Sequence, residues 1–153
     1  MDNTYFRKLF EYDFWSNRGV LSALQRGQNL SPMALQLLSH ILAAERVWHT
    51  RLLGKDSSAL SIWPNYSLTE CERLTGEIYQ HWMSFLEGLT VERLMERIHY
   101  KSSRGMVYET AIGDILTHVV IHGGYHRGQI TALLRHSGEQ PAITDFIYYV
   151  RNH

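Results

Sequence analysis

Apolar residues recur at steps of three and four over most of the first 26 residues. This spacing places them on one face of an α-helix and predicts a helix over about Thr4–Arg26. The run Gly27-Gln28-Asn29 ends it. The predicted buried face holds Phe6, Leu9, Phe10, Asp13, Phe14, Asn17, Val20, Leu21 and Leu24.

The second predicted helix opens at Ser31-Pro32, a hydroxyl suited to an N-cap followed by a proline that needs no N–H in the first turn. It continues to about Leu53 and ends before Gly54, a common residue after a helix C-terminus. Its apolar residues cover much of its circumference, so we expect this helix to pack on more than one side.

A third helix and a short hairpin are predicted next. Ser67 and Glu70 have the spacing of a capping box, which starts a helix that ends near Leu89. Residues 91–109 are the least helical part of the chain. Apolar residues flank the run Lys101-Ser102-Ser103-Arg104-Gly105 there, which favours a hairpin.

The fourth predicted helix runs from about Thr110 to His136 and ends before Gly138. A last short helical turn follows Thr144-Asp145. Four long helices with short connections predict an all-α fold, a four-helix bundle with a hairpin-like connection before the fourth helix. At 153 residues, the chain is predicted to form a single domain over residues 1–153.

Composition narrows the class of protein. Fifteen basic and fifteen acidic side chains cancel, which argues against nucleic acid or an anionic membrane as a partner. The single cysteine, Cys71, excludes an internal disulfide and suits a reducing compartment. The first eight residues carry charge, and no run approaches the ~18 apolar residues of a membrane span. These features predict a soluble cytoplasmic protein.

Three of the nine histidines follow one another at i, i+4 steps on the fourth helix. Side chains one turn apart share a face, so two imidazoles can bind one ion. Relative to the buried stripe, His126 lies near the centre, His122 about 60° to one side, and His118 about 100° away at the edge. His122 and His126 are therefore the predicted metal-binding pair. The stripe itself is set by Ile112, Ile115, Val119, Ile130 and Leu133.

The surroundings of these histidines decide between a metal site and ordinary polar residues. Histidines at this spacing are commonly polar residues with no further role. A bundle core, however, disfavours histidine unless both ring nitrogens find partners. Gly123-Gly124 within the helix also costs about 1 kcal/mol per glycine relative to alanine. Close approach of a ligand or of another helix would compensate, which favours a metal site.

A longer run on the fourth helix reads His122-Gly-Gly-Tyr-His126-Arg-Gly-Gln-Ile130. Together with residues 40–48 and 10–17, it resembles the DinB family of DinB/YfiT-like metalloenzymes, and the resemblance covers nearly the whole chain. It implies a four-helix bundle that forms a homodimer. It also implies a three-histidine site for Zn²⁺, Ni²⁺ or a similar divalent metal ion, with His40, His122 and His126 as the ligands.

His40 is the residue on which the helical wheel and the resemblance differ. The stripe of Leu38, Leu42, Glu45 and His49 lies on another side of the second helix. Because that helix is apolar nearly all round, both sides are candidates for burial. On the wheel alone, Glu45 or His49 would complete the site at least as well as His40; the resemblance favours His40.

Other polar residues of the predicted core need partners. A buried Arg127 needs a carboxylate, for which Asp145 or Asp13 is the natural candidate. Glu45 would either orient a ligand histidine or pair with an arginine. Cys71 lies at the start of a helix, where the helix dipole is expected to lower the pKa of the thiol. No neighbouring residue identifies that thiol as a nucleophile.

A three-histidine site leaves at least one coordination position open, which is typical of catalytic zinc. The resemblance implies that such a metal binds a low-molecular-weight thiol as thiolate, and it therefore implies a metal-dependent thiol S-transferase acting in stress or detoxification. Thiol-dependent isomerases are also similar to this family. The alternative is a helical stress-associated protein whose metal is structural or regulatory and catalyses nothing. A hydrolase is a weaker third hypothesis, because no acid–base partner can be named beside the metal.

Overall fold

Helices form most of the chain that a computed structural model describes, residues 3–153. Four of these helices are long and correspond to the four that the sequence predicts, which confirms the all-α prediction. The elements in chain order are α1 (Asn3–Arg26), α2 (Pro32–Leu52), α3 (Leu68–Glu87), α4 (Val91–Leu94), β1 (Arg97–Lys101), β2 (Val107–Ala111), α5 (Ile112–His136) and α6 (Phe146–Asn152).

The predicted helix starts are confirmed by their hydrogen bonds. The Ser31 hydroxyl accepts from the backbone N–H of Met33, with Pro32 as the first helical residue of α2. At the start of α3, Ser67 and Glu70 form a capping box in which each side chain accepts from the other residue's backbone N–H. Both starts follow from side-chain oxygens satisfying N–H groups that have no partner within the helix.

The predicted hairpin is present as two antiparallel strands, paired from Arg97 with Ala111 to Lys101 with Val107. Gly105 has a φ of +81°, the left-handed conformation that glycine adopts without steric cost, and it lies in the turn. Because β2 continues to Ala111, helix α5 begins at Ile112 and not at the predicted Thr110. The Ile112 N–H donates to the Glu96 carbonyl at 2.9 Å, which connects the start of α5 to the start of the hairpin.

The core lies between the four long helices. Helix α2 packs mainly against α5, and α1 packs mainly against α3, with α2–α3 and α1–α5 contacts completing the bundle. Every residue from 37 to 45 is buried, so α2 is enclosed all round, as its apolar circumference predicts. Within residues 3–153, none of the helices has the length and apolar character needed to span a membrane.

Candidate metal centre

The structure brings His40, His122 and His126 together. His40 lies in the middle of α2, and the other two lie one turn apart on α5, the helix against which α2 packs. One potential ligand atom from each residue lies within 4.8 Å of the other two. His40 Nε2 and His122 Nε2 are 3.1 Å apart. These three residues are called the histidine cluster below.

Two imidazoles of the histidine cluster are held by a hydrogen bond from the nitrogen on their far side. His40 Nδ1 donates to the Ile62 carbonyl at 2.6 Å, and His126 Nδ1 donates to Gln129 Oε1 at 2.6 Å. Since an imidazole that donates from Nδ1 carries its lone pair on Nε2, both rings offer Nε2 to a ligand. The Trp63 ring stacks on His40 at 3.7 Å with an interplanar angle of 5°, which fixes the plane of that imidazole.

Burial favours the neutral imidazole at two residues of the histidine cluster, His40 and His122. Burial, followed by the neighbouring histidines 126, 40 and 118, lowers the pKa of His122 to about 3. Burial also lowers the pKa of His40. A metal binds the neutral imidazole, so neither His40 nor His122 has to lose a proton at neutral pH before it can act as a ligand.

The donor set fits a divalent transition metal. With Zn–N bonds of about 2.0–2.1 Å, two ligand nitrogens of a tetrahedral ion lie about 3.3 Å apart. The 3.1 Å between His40 Nε2 and His122 Nε2 is close to that separation. Imidazole nitrogen suits Zn²⁺, Ni²⁺ and Cu²⁺ better than it suits Mg²⁺ or Ca²⁺. The residues present are therefore able to hold the kind of ion that the sequence predicts.

The other histidine and carboxylate candidates lie outside the histidine cluster. The His118 ring is 5.5 Å from His122 and contacts Trp48, which agrees with its predicted place at the edge of the buried stripe. His49 stacks on His81 at 5.1 Å, and burial lowers its pKa to about 4. Neither completes the group, and Glu45 does not enter it either.

Glu45 belongs to a separate group of buried polar side chains. Asn17 Nδ2 donates to Glu45 Oε2 at 2.9 Å, and Trp82 Nε1 donates to Glu45 Oε1 at 3.0 Å. Glu45 therefore does not orient a ligand histidine, because α1 and α3 supply both of these donors. Its predicted pairing with an arginine takes the form of an electrostatic interaction with Arg127, whose charge opposes the rise in the pKa of Glu45. Burial and the charge of Asp13 raise the pKa of Glu45 well above its ordinary value.

Arg127 completes this second group, and its predicted need for a carboxylate is met by Asp13. Arg127 Nη1 lies 2.7 Å from Asp13 Oδ1 and 2.8 Å from Asn17 Oδ1. Asp145, the other candidate, lies at the N-terminus of α6 instead. Asp13, Asn17, Glu45 and Arg127 are called the polar cluster below.

Gly123 and Gly124, which are adjacent within α5, differ in what surrounds them. A Cβ at Gly123 would lie 2.8 Å from both Arg127 Nη1 and Asp13 Oδ1, so the ion pair itself occupies that space. A Cβ at Gly124 would meet nothing within 4 Å. The predicted close approach of another helix is therefore present at Gly123, where α1 contributes Asp13, and no described residue makes it at Gly124.

The prediction that the helix dipole lowers the pKa of the Cys71 thiol is also wrong. The side chain is fully buried, and burial raises the pKa of the thiol, with a smaller opposing effect from its contact with the Ser39 hydroxyl. Loss of hydration outweighs the helix dipole here, so Cys71 acts as a core residue.

A cleft of about 310 Å³ opens beside the histidine cluster, and His40 and His122 form part of its wall. It is called the histidine cleft below. The sequence did not indicate the other residues that line this cleft, Ile62 among them. They come from the C-terminal half of α2, from the loop that follows it and from the hairpin. The remaining lining residues are Ala44, Val47, Trp48, Arg51, Ile62, Tyr100, Ser102, Ser103 and Tyr108.

Comparison with known proteins agrees with the fold. The protein DinB of Bacillus subtilis strain 168 is 29% identical over 160 residues, covering 94% of this chain and 92% of DinB. The crystal structure of a DinB-like protein from Bacillus cereus ATCC 10987 has a TM-score of 0.64 at 19% identity, covering 93% of this chain and 97% of that one, which shows a common fold. A model of the DinB family matches residues 4–152, and the chain therefore belongs to the DinB family.

Proposed function

We propose that this protein is a metal-dependent enzyme in which His40, His122 and His126 hold one divalent ion, Zn²⁺ or Ni²⁺. The observation that carries the proposal is the position of the histidine cluster at the wall of a cleft. Three imidazoles converge within 4.8 Å, and two of them line the histidine cleft. A small molecule entering the cleft would therefore reach the centre without any movement of the core.

The reaction we propose is the transfer of a low-molecular-weight thiol to an electrophile, in stress or detoxification. When bound, a divalent ion at such a site lowers the pKa of a thiol, so that the thiolate is available at neutral pH. The thiol releases its proton to solvent, its sulfur bonds to the electrophilic carbon, and the leaving group departs from that carbon with the electron pair of the broken bond. The Ile62 carbonyl and Gln129 keep two imidazoles oriented, while Trp48 and Tyr100 offer aromatic surface to the electrophile.

The alternative is a metal-binding helical stress-associated protein that catalyses no reaction. One observation favours it: an ion held by His40 and His122 would join α2 to α5, which are distant in sequence, and would stabilise the bundle in that way. Metal binding alone does not separate the two functions, because both require the same three ligands.

The deciding experiment combines metal content with turnover. We expect about one ion per chain in the wild type and in His118→Ala, which removes a neighbouring histidine outside the cluster. His122→Ala and His126→Ala should lose the ion. The loaded wild type is then assayed with several thiols and a reactive aryl halide. Full metal content without turnover for any thiol would favour the non-catalytic alternative, and retention of the ion by His126→Ala would contradict the ligand assignment.

We also propose that the chain forms a homodimer, as the resemblance to its family implies. Sedimentation at increasing protein concentration tests this. A monomer at all concentrations would contradict it.

A further inference from the structure

Arg51, in the last turn of α2, has an unusual environment for a charged residue. Its guanidinium lies over the Trp48 ring at 4.6 Å and over the Tyr100 ring at 5.2 Å. Its Nε donates to the Ser57 hydroxyl at 3.2 Å. Two aromatic faces and one hydroxyl therefore hold the planar group in one orientation.

The guanidinium of Arg51 has no counter-ion within the part of the chain that the structure describes. None of the ion pairs among residues 3–153 involves Arg51, and none of their hydrogen bonds involves its two terminal nitrogens. Arg51 is nevertheless half-buried, and this burial lowers the pKa of its guanidinium. A cation that has lost part of its hydration without gaining an anion favours the binding of one.

The position of Arg51 connects this cation to the histidine cluster. Arg51 lines the histidine cleft together with His40 and His122. It also lines a larger adjoining cleft of about 660 Å³, to which Lys55 and Lys101 contribute positive charge. The acidic residue of that cleft is Asp56, and its carboxylate already accepts from the backbone and hydroxyl of Ser58.

We propose that Arg51 is the anion-binding residue of a substrate subsite, and that the histidine cleft takes a small molecule bearing a carboxylate. A single guanidinium balances the single charge of a carboxylate, and its two free terminal nitrogens match the two carboxylate oxygens. Trp48 and Tyr100 accommodate the apolar part of the same molecule. The inference rests on the proposed function only in taking this molecule to be one of the two reactants.

The test uses 3-phenylpropionate and its uncharged analogue 3-phenylpropanamide, which differ in charge and contain no thiol. Each is titrated by NMR into zinc-loaded and chelator-treated protein. We expect the wild type to bind the carboxylate about tenfold more tightly than the amide, as one charge-assisted hydrogen-bonded pair provides. Arg51→Gln should abolish this preference in both forms while leaving the affinity for the amide within about twofold.

A matched control lies one and a half turns earlier on the same helix. Arg46 donates to the Tyr66 hydroxyl and does not line either cleft, so Arg46→Gln removes the same charge and should keep the wild-type preference. Equal binding of the two probes by the wild type would overturn the proposal, as would a preference that survives Arg51→Gln. Loss of both probes in Arg51→Gln would also overturn it, because Arg51 would then only shape the cleft.

The proposed function is tested separately with the uncharged thiol 3-mercaptopropan-1-ol. If this thiol does not bind the zinc-loaded protein, the thiol chemistry is wrong, whereas the result for the two phenyl probes still decides the role of Arg51. If the thiol binds but the phenyl probes bind equally, the subsite is wrong and the thiol chemistry stands.

Discussion

The histidine cluster joins α2 to α5, and the polar cluster joins α1 to both of these helices, yet their polar atoms are arranged in opposite ways. In the polar cluster, Arg127 faces the carboxylate of Asp13 at 2.7 Å, so positive and negative groups stabilise each other. In the histidine cluster, His40 and His122 bring two Nε2 atoms within 3.1 Å of each other with no opposite charge between them. The first arrangement supplies its own counter-charge in the folded chain, although Arg127 Nε and Nη2 find no hydrogen-bond partner among the described residues. The second consists of imidazole nitrogens of the same kind, one from each residue, and such a group can hold a cation supplied from outside.

Breaking the polar cluster should have the largest effect on stability. Arg127→Met leaves the Asp13 carboxylate buried without its partner, which costs about 3–5 kcal/mol in the free energy of unfolding. Urea denaturation measures this difference.

Arg46→Met is the control for that variant, because it removes a guanidinium whose one hydrogen bond to residues 3–153 goes to the Tyr66 hydroxyl at 3.2 Å. It should cost no more than about 1 kcal/mol. Equal losses in the two variants would show that the ion pair with Asp13 is not what stabilises this part of the core.

The next largest effect should come from metal binding to the histidine cluster. An ion that binds only the folded state at a hundredfold excess over Kd adds about 2.7 kcal/mol, so a chelator should lower the melting temperature of the wild type. His40→Ala removes the ligand on α2, and its melting temperature should respond far less to the chelator.

His49→Ala is the matched comparison, because His49 lies on the same helix but stacks on His81 outside the cluster. It should respond to the chelator like the wild type. If His40→Ala still responds fully and His49→Ala does not, the third ligand lies on the side of α2 that carries Glu45 and His49.

Alanine substitutions at Gly123 and Gly124 should change stability by smaller amounts and in opposite directions. Gly123→Ala places a Cβ 2.8 Å from the Asp13–Arg127 pair and should destabilise the fold by about 1–3 kcal/mol. Gly124→Ala meets open space and should stabilise α5 by up to about 1 kcal/mol. Thermal unfolding of the two variants gives the signs, and the same sign in both would contradict the assigned packing of Gly123.

The sequence was sufficient for most of the fold because its signals are local. Helical periodicity and the capping residues Ser31 and Ser67 place the starts of α2 and α3. The start of α5 was displaced to Ile112 because strand pairing between β1 and β2 extends to Ala111, and pairing of distant segments leaves no signal in helical periodicity.

The site was predictable only where one side of a helix was buried. On α5 the wheel separates His126 and His122, which the structure places beside His40, from His118, which lies outside the cluster. On α2 every residue from 37 to 45 is buried, so the wheel cannot distinguish the face of His40, toward α5, from that of Glu45, toward α1 and α3. Ile62 and Trp63 hold His40 from an irregular loop, where no periodicity exists to indicate contacts.

The last effect we predict is the pH dependence contributed by Glu45. Its folded pKa is raised by burial and by Asp13, with Arg127 opposing, so the folded state holds this proton more tightly than the unfolded chain does. The stability gained in this way is complete below the ordinary pKa of 4.5 and is lost as the pH rises through the raised folded value.

Glu45→Gln cannot ionise and should escape this loss. In urea denaturation with chelator present, the difference in unfolding free energy, variant minus wild type, should therefore increase as the pH rises above about 4.5. Glu77→Gln, at an exposed position paired with Arg73, should keep the wild-type profile. Parallel profiles for Glu45→Gln and the wild type would show that Glu45 titrates alike in the folded and unfolded chain, and that the polar cluster does not hold a proton.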